Sequence, residues 1–399
     1  MTQATVTTPN HLENLKSQYE APAKDAEGLT DRERFLRRKL ALGLFLPSMS
    51  GGGGGHYPTE LGLYAPTWQY NLACSQRVDE LGWDFIFPVG RWRGSGGRTH
   101  FQEFSLDVIS LTAGLAARTK HCMVFTTWHV TYGMHPMHVA KIGAGIDHVS
   151  GGRWGLNVVT GWKPSEVGMF GLPFVDKESR YRVADELLTM VEVLWEADDF
   201  VQLDGEFFHG TDCLVYPKPL QDPKPLVVSA GQSAVGLEFA AKHADVVFIQ
   251  GGSGDRSEDV SAVAEVVQTV RAAAAAQGKD RLKVLLPVVL GARDTAEEAE
   301  AFRAEIIRLG DFDAARNVLG DLVSGSESFS EQTLEPVILG VGGFKLFGTP
   351  ERVADVFEQL SEAGVDGIQL ILFDYLNDIE YFASRIQPLL EARGLRDVV

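Results

Sequence analysis

The sequence is short of several things. Cysteine occurs three times in 399 residues, at Cys74, Cys122 and Cys213, with no C-x-x-C pair. So few scattered cysteines make neither a disulfide framework nor a cysteine zinc site, and they suit a reducing compartment. Each is expected to be a buried small hydrophobe. Basic residues are also scarce: 36 lysines and arginines face 54 aspartates and glutamates, for a net charge of −18. Nucleic acid and anionic lipid both need a basic face, so neither is expected as a main partner. A small anionic ligand is still compatible, because local dipoles and single arginines act at short range. No apolar run reaches membrane-spanning length, and the first residues lack the apolar core of a signal peptide. A soluble, cytoplasmic protein is expected. There is no G-x-S-x-G elbow, no G-x-x-x-x-G-K-[ST] loop and no H-E-x-x-H, so nothing calls for hydrolysis or phosphoryl transfer. His135 and His138 have a spacing that permits a metal, but acidic and cysteine partners are missing, and no metal site is expected.

What is present is a large apolar fraction, 45%, enough for one large core or two average ones. Residues 1–35 are polar and charged and read as an N-terminal arm or cap outside the core. From residue 36 to 399, short apolar or β-branched runs alternate with longer amphipathic stretches, the signature of βα repeats. Strands are expected at 40–47, 83–89, 121–127, 154–160, 225–231, 244–251, 282–291 and 364–373. Helices are expected at 67–82, 104–119, 137–150, 179–197, 233–243, 257–278, 295–309 and 379–394. This count predicts an α/β fold of the (β/α)₈ TIM-barrel type as a single domain. An open doubly wound sheet is the lesser alternative, since the Gly51–Gly55 run after strand one is not a dinucleotide fingerprint. Two stretches exceed a barrel loop: 198–224 reads as a hairpin insertion, and the Gly/Ser-rich 310–348 as an irregular, lid-like insertion.

In such barrels chemistry collects at the C-terminal ends of the strands. Strand two ends in Gly90, Arg91, Trp92 and Arg93, strand three in Thr127, Trp128 and His129, and strand four in Asn157, Thr160, Gly161 and Trp162. Strand five ends in "SAGQS", where Gly231, Gln232 and Ser233 lead into a helix N-terminus suited to a phosphate. An ordinary N-cap by Ser233 is the plainer reading of that serine. Arg180 and Tyr181 open the helix after strand four and could add a phosphate contact, or be a solvated cation and a packing aromatic. Thr127 and Asn157 are short polar groups on neighbouring strands, able to hydrogen-bond a planar heterocycle or simply to satisfy each other. Trp92, Trp128 and Trp162 at three consecutive strand ends point to an aromatic rim around an apolar substrate pocket. His129 is the candidate to polarise a carbonyl or move a proton, with a pKa near neutrality.

These blocks, "SGGRWGLNVVTGW", "SRYRVADELLTMVEVLWE", "DGEFFHGTDCLVYPKPLQ", "VVSAGQSAVGLEFAAKHADVVF" and "IEYFASRIQPLL", are collinear. Through them, from about residue 30 to about 394, the chain resembles the bacterial-luciferase-like, flavin-dependent monooxygenases. It is most similar to the branch holding the pyrimidine monooxygenase that opens the uracil ring, with alkanesulfonate and dimethylsulfone monooxygenases more distant. The resemblance implies a luciferase-like barrel that binds FMN, supplied reduced by a separate NAD(P)H:flavin reductase, with O₂ as co-substrate and a homo-oligomeric state, dimer or tetramer. It implies flavin contacts at Gly90, Arg91, Asn157 and Glu166, and phosphate-side contacts at Arg180, Tyr181 and Ser233. Thr127 and Asn157 match the pair that holds dioxygen beside the flavin. The chain departs from the family pattern in "PSMSGGGGGHYPTE" after strand one and in "TTWHVTYGMHP", where a substrate would be read. The expected activity is oxygenation of a small planar N-heterocycle or amide with cleavage of a C–N bond. The alternatives are C–S cleavage of an alkanesulfonate or sulfone anchored by Arg93 and Arg98, deazaflavin-dependent hydride transfer, and flavin binding without catalysis.

Overall fold

The computed structural model describes residues 15–51, 56–62, 64–231, 233–251, 258–279, 282–323 and 331–397. Among the described residues there are eleven strands: β1 (Ala41–Phe45), β2 (Phe85–Phe87), β3 (Met123–His129), β4 (Trp154–Val159), β5 (Val201–Asp204), β6 (His209–Cys213), β7 (Leu226–Ser229), β8 (Val246–Phe248), β9 (Lys283–Ala292), β10 (Phe344–Gly348) and β11 (Gly367–Ile371). Pairing runs β1-β2-β3-β4-β7-β8-β9-β11 and returns to β1, all parallel. The ring is closed, which excludes the open doubly wound sheet. Its members are the eight predicted strands. β5 and β6 form a separate antiparallel hairpin inside the 198–224 stretch.

The helices between the strands cover the outside of the barrel. They are α1 (Asp31–Arg37), α2 (Trp68–Glu80), α3 (Val108–Ala116), α4 (Pro136–Ser150), α5 (Pro164–Met169), α6 (Lys177–Glu196), α7 (Ala234–His243), α8 (Val260–Ala276), α9 (Ala296–Arg308), α10 (Phe312–Val323), α11 (Glu331–Ile338), α12 (Pro350–Glu362), α13 (Tyr375–Tyr381) and α14 (Gln387–Ala392). Among the described residues, no helix is long and apolar enough to cross a membrane.

Three expectations need correction. The 310–348 stretch is not irregular: it holds α10, α11 and β10, and β10 belongs to the barrel sheet. Leu285 of β9 pairs with Phe248 of β8 and with Gly367 of β11, whereas Val288 pairs with Phe344 of β10 and Leu370 of β11. A strand residue has one neighbour per edge, so β10 takes over from β8 along the upper half of β9. The second correction is α12, an amphipathic helix absent from the sequence reading. Its start is marked by Thr349 as N-cap and Pro350 in the first turn. The third is the arm, which does enter the core. Phe35 of α1 is fully buried, edge-on to Phe85 (5.8 Å) and Phe125 (5.6 Å). It plugs the N-terminal end of the barrel.

Inside the barrel, phenyl rings fill the space that glycines vacate. A Cβ at Gly43 would collide with the Phe85 ring, and one at Gly155 with the Phe125 ring. Each glycine lies in register with the phenylalanine on the neighbouring strand that it makes room for. Phe35→Ala removes the plug and should cost about 3–5 kcal/mol. In urea unfolding it should lower the midpoint with the slope unchanged. An unmoved midpoint would mean that α1 contributes nothing to the barrel core.

Candidate active site

Strand register decides which strand-end residues face the barrel axis. Phe125 belongs to the inner cluster, so Thr127 and His129 share its face. Thr127 pairs in register with Asn157, and the Asn157 Nδ2 donates to Thr127 Oγ1 at 3.1 Å. Asn157 is 2% exposed, and its Oδ1 has no hydrogen-bond partner. An acceptor held in place and left unmatched is an arrangement a ligand completes. Trp128 points the other way. It is 3% exposed in the layer between sheet and helices, edge-on to Trp154 at 6.4 Å. It lines no pocket, and the expected three-tryptophan rim is reduced to Trp92 and Trp162. Trp92 is 52% exposed and edge-on to Phe170 at 5.0 Å. Trp162 lies under the Arg91 guanidinium, 5.0 Å from Cζ to ring centroid.

Glu166, on α5, organises the mouth. It is wholly buried. Its Oε1 accepts the backbone N–H groups of Trp92 (2.9 Å) and Arg93 (3.2 Å), its Oε2 accepts the Tyr132 hydroxyl (2.8 Å), and Arg91 Nη1 lies 3.7 Å away. Burial alone would raise its pKa, but Arg91, His129, Tyr132 and the Arg93 N–H outweigh that, and the net shift is downward. The carboxylate is ionised and engaged on every side. Through these partners it fixes the Gly90–Arg93 loop and Arg91. Gly90 is buried against the start of α3, with Val108 beside it.

His129 stacks on Tyr132, with centroids 4.7 Å apart and planes 10° from parallel. Burial and then Arg91 push its pKa down to about 4, against a smaller opposing effect of Glu166. The ring is therefore neutral at pH 7, which corrects the expectation of a pKa near neutrality. A second imidazole, overlooked in sequence because it follows a uniform glycine run, is His56. It packs on Phe45 at 3.8 Å, and burial and then Arg91 push its pKa down to about 3.

Beside β4, β7 and α7 build a second locus. Ser233 caps α7, accepting the Gly236 N–H at 3.3 Å. The Tyr181 hydroxyl lies against Gly231 and Gly236, where a Cβ on either glycine would intrude, with the hydroxyls of Thr160 and Ser233 beside it. Arg180 is nearly buried, donates to Val175 O at 2.6 Å, and has an unpartnered Nε. Gln232 lies outside the described residues. Of the two proposed sulfonate anchors, Arg93 is exposed, and Arg98 is occupied by Glu60 and Gly310 O. His135 caps α4 by accepting the Met137 N–H. Lys163, also missed, is a buried lysine whose Nζ contacts Gly94 O (2.9 Å), Ser95 Oγ (2.9 Å) and Asp321 Oδ2 (3.2 Å). It fastens α10 to the loop after β2.

This geometry has counterparts. The luciferase-like monooxygenase family model matches residues 40–367. The pyrimidine monooxygenase RutA of Stutzerimonas stutzeri (strain A1501) is 32% identical over 361 residues, covering 89% of this chain and 97% of that protein. The chain belongs to the luciferase-like monooxygenases. Two solved members of this fold superpose well: riboflavin lyase (RcaE), with modified FMN and substrate riboflavin, at TM-score 0.77 and 23% identity over 90% of this chain and 92% of that one, and long-chain alkane monooxygenase (LadA) at TM-score 0.76 and 22% identity over 91% and 93%. At that identity they speak for the barrel and not for its substrate.

The two neutral imidazoles of this luciferase-like monooxygenase set its acid response. Unfolded, each takes up a proton near pH 6.5; folded, His129 does so at about 4 and His56 at about 3. Between those values the unfolded chain binds more protons, so stability is full above pH 6.5 and falls with acidification toward pH 4 and below. His129→Gln should lose less stability than the wild type between pH 7.5 and 5.0 in denaturant melts. Equal losses would show that His129 titrates normally.

Proposed function

We propose that the protein is the oxygenase of a two-component system. It takes reduced FMN from a separate NAD(P)H:flavin reductase and uses O₂ to oxygenate a small planar N-heterocycle or amide, with cleavage of a C–N bond. The observation that carries this reading is the unmatched Asn157 Oδ1 beside Thr127 at the barrel mouth. The side chains present suit FMN. Ser233, Tyr181, Gly231 and Arg180 would hold the phosphate at the α7 N-terminus, where the helix dipole favours negative charge. Gly90 and Arg91 would line one edge of the ring system, with Glu166 fixing their loop.

Bound reduced flavin supplies the electrons that activate dioxygen. The chain's share is positioning. Asn157 and Thr127 orient hydrogen bonds toward the reacting face. Neutral His129 is able to donate one hydrogen bond to a substrate carbonyl without bringing a charge. Aromatic residues and the α10 segment keep water from the mouth, with Lys163 and Asp321 fastening that segment.

The similarity to the pyrimidine monooxygenase RutA supports a heterocyclic substrate. The engagement of Arg98 and the neutral imidazoles weigh against a sulfonate. The test is turnover with reduced FMN under ¹⁸O₂ on pyrimidines, pyridines, amides, sulfones and sulfonates, with products read by mass. Label in a ring-opened or C–N-cleaved product is expected and should vanish in Asn157→Ala. Label only in sulfur oxyanions would overturn the reading. Ser233→Ala should weaken FMN binding by about 1.5–3 kcal/mol, the worth of a hydrogen bond to a charged group. Unchanged affinity in a flavin titration would remove Ser233 from the phosphate site.

A further inference from the structure

Besides Arg180 Nε at the phosphate locus, four buried polar atoms near this mouth or in the barrel interior have no hydrogen-bond partner: His56 Nε2, Arg91 Nε, Asn157 Oδ1 and Gln369 Nε2. Leaving such a group unmatched costs about 1–3 kcal/mol, so several in one region point to a ligand that matches them. Arg91 and Asn157 are accounted for by the flavin proposed above. His56 is not, because of where it sits. In the ring order β1-β2-β3-β4-β7-β8-β9-β11, β1 and β7 are four places apart and therefore opposite. The phosphate locus is at β7, and Asn157 and Thr127 are on β4 and β3. A flavin anchored at β7 and reaching β4, β3 and the Gly90–Arg91 turn after β2 leaves the β1 side of the mouth for something else. His56 follows β1 and packs on Phe45, the last residue of that strand.

Its placement is rigid. The His56 carbonyl accepts the Val341 N–H at 3.2 Å, and the next residue, Tyr57, is fully buried with its hydroxyl donating to Ile371 O at 3.1 Å. The Tyr57 ring stacks on Phe373 at 4.0 Å. A side chain held this firmly and left with an open nitrogen is preorganised for a partner.

The electrostatics narrow the partner. Arg91, the guanidinium that acts on His56, has Glu166 as its partner at 3.7 Å. His56 and His129 are both neutral. The region offers hydrogen bonds without net charge. The unpartnered Nε2 of a neutral imidazole makes one hydrogen bond, donating to a carbonyl or accepting from an N–H according to its tautomer, and the edge of an amide or imide offers both groups.

We propose that His56 is a specificity-determining residue that contacts the substrate, and that the edge it reads is the neutral N–H/C=O pair of an amide, lactam or imide. This rests on the flavin and heterocycle reading of the same site. It assigns the β1 side of the mouth to substrate and accounts for the departure of this loop from the family pattern.

The test uses FMN-saturated full-length protein. Uracil, 2-pyridone and nicotinamide are titrated as N–H/C=O probes, and pyridine and dimethyl sulfone as controls lacking that pair. The His56 ring signal is followed by ¹⁵N NMR, assigned by its loss in His56→Gln. At least one N–H/C=O probe should shift that signal, with neither control doing so. His56→Ala should weaken that probe tenfold or more while FMN affinity stays within twofold, and His56→Gln should restore part of the loss. The proposal is overturned by probes that bind with the signal unmoved, by equal affinity in His56→Ala, by a control that shifts the signal as much, or by FMN binding with no probe bound. Failure of the wild type to bind FMN would instead sink the flavin reading, and this proposal with it.

Discussion

The mouth of this barrel depends on one buried carboxylate. Glu166 reaches back from α5 to hold the turn after β2 by two backbone N–H groups, the Tyr132 side chain after β3, and the Arg91 guanidinium. Three consecutive strand ends are thereby locked together through a single side chain. A charge taken out of water is tolerated only where partners surround it, and here they do. Glu166 offsets the Arg91 charge only in part: that charge still joins burial in keeping His129 and His56 unprotonated. The uncharged imidazoles at the mouth follow from burial beside that guanidinium.

The barrel was legible in the sequence because its strands are buried on both faces and read as continuous apolar runs. The same property hid their orientation. In Thr126-Thr127-Trp128-His129, polar residues fall on both faces: Thr126 faces outward and accepts the Trp154 indole N–H at 2.8 Å, while Thr127 faces in. Nothing in the letters separates them, so Trp128 was assigned to the pocket. The inserted segment was obscured by Gly320 in α10 and Pro336 in α11, residues that argue against helices in isolation. Packing of Ile338, Leu334 and Ala315 against Tyr57 and Val289 overrides that preference.

The candidate site was half legible. The β7–α7 turn, Asn157, Thr127 and Arg91 stand out by type and position. The charge state of His129 does not, because it depends on burial and on Arg91, which the fold supplies. Glu166 was identified, but its work is to hold a loop. Lys163 and His56 were passed over because a lysine beside a tryptophan and a histidine after glycines look like ordinary surface residues until their burial is known.

The exchange of neighbours along β9 has a mechanical consequence. α10 and α11 lie toward one side of the mouth, and the described residues that flank them are fixed. Asp311 accepts the Thr99 N–H at 2.8 Å, and β10 is hydrogen-bonded into the wall from Phe344 to Gly348. α10 is tied to the loop after β2 at its start, by Asp311, and along its length, where the Asn317 Nδ2 donates to Ser95 O at 2.8 Å and Asp321 meets Lys163. A helix pinned at several points is braced rather than hinged, so α10 and that loop behave as one piece of the wall.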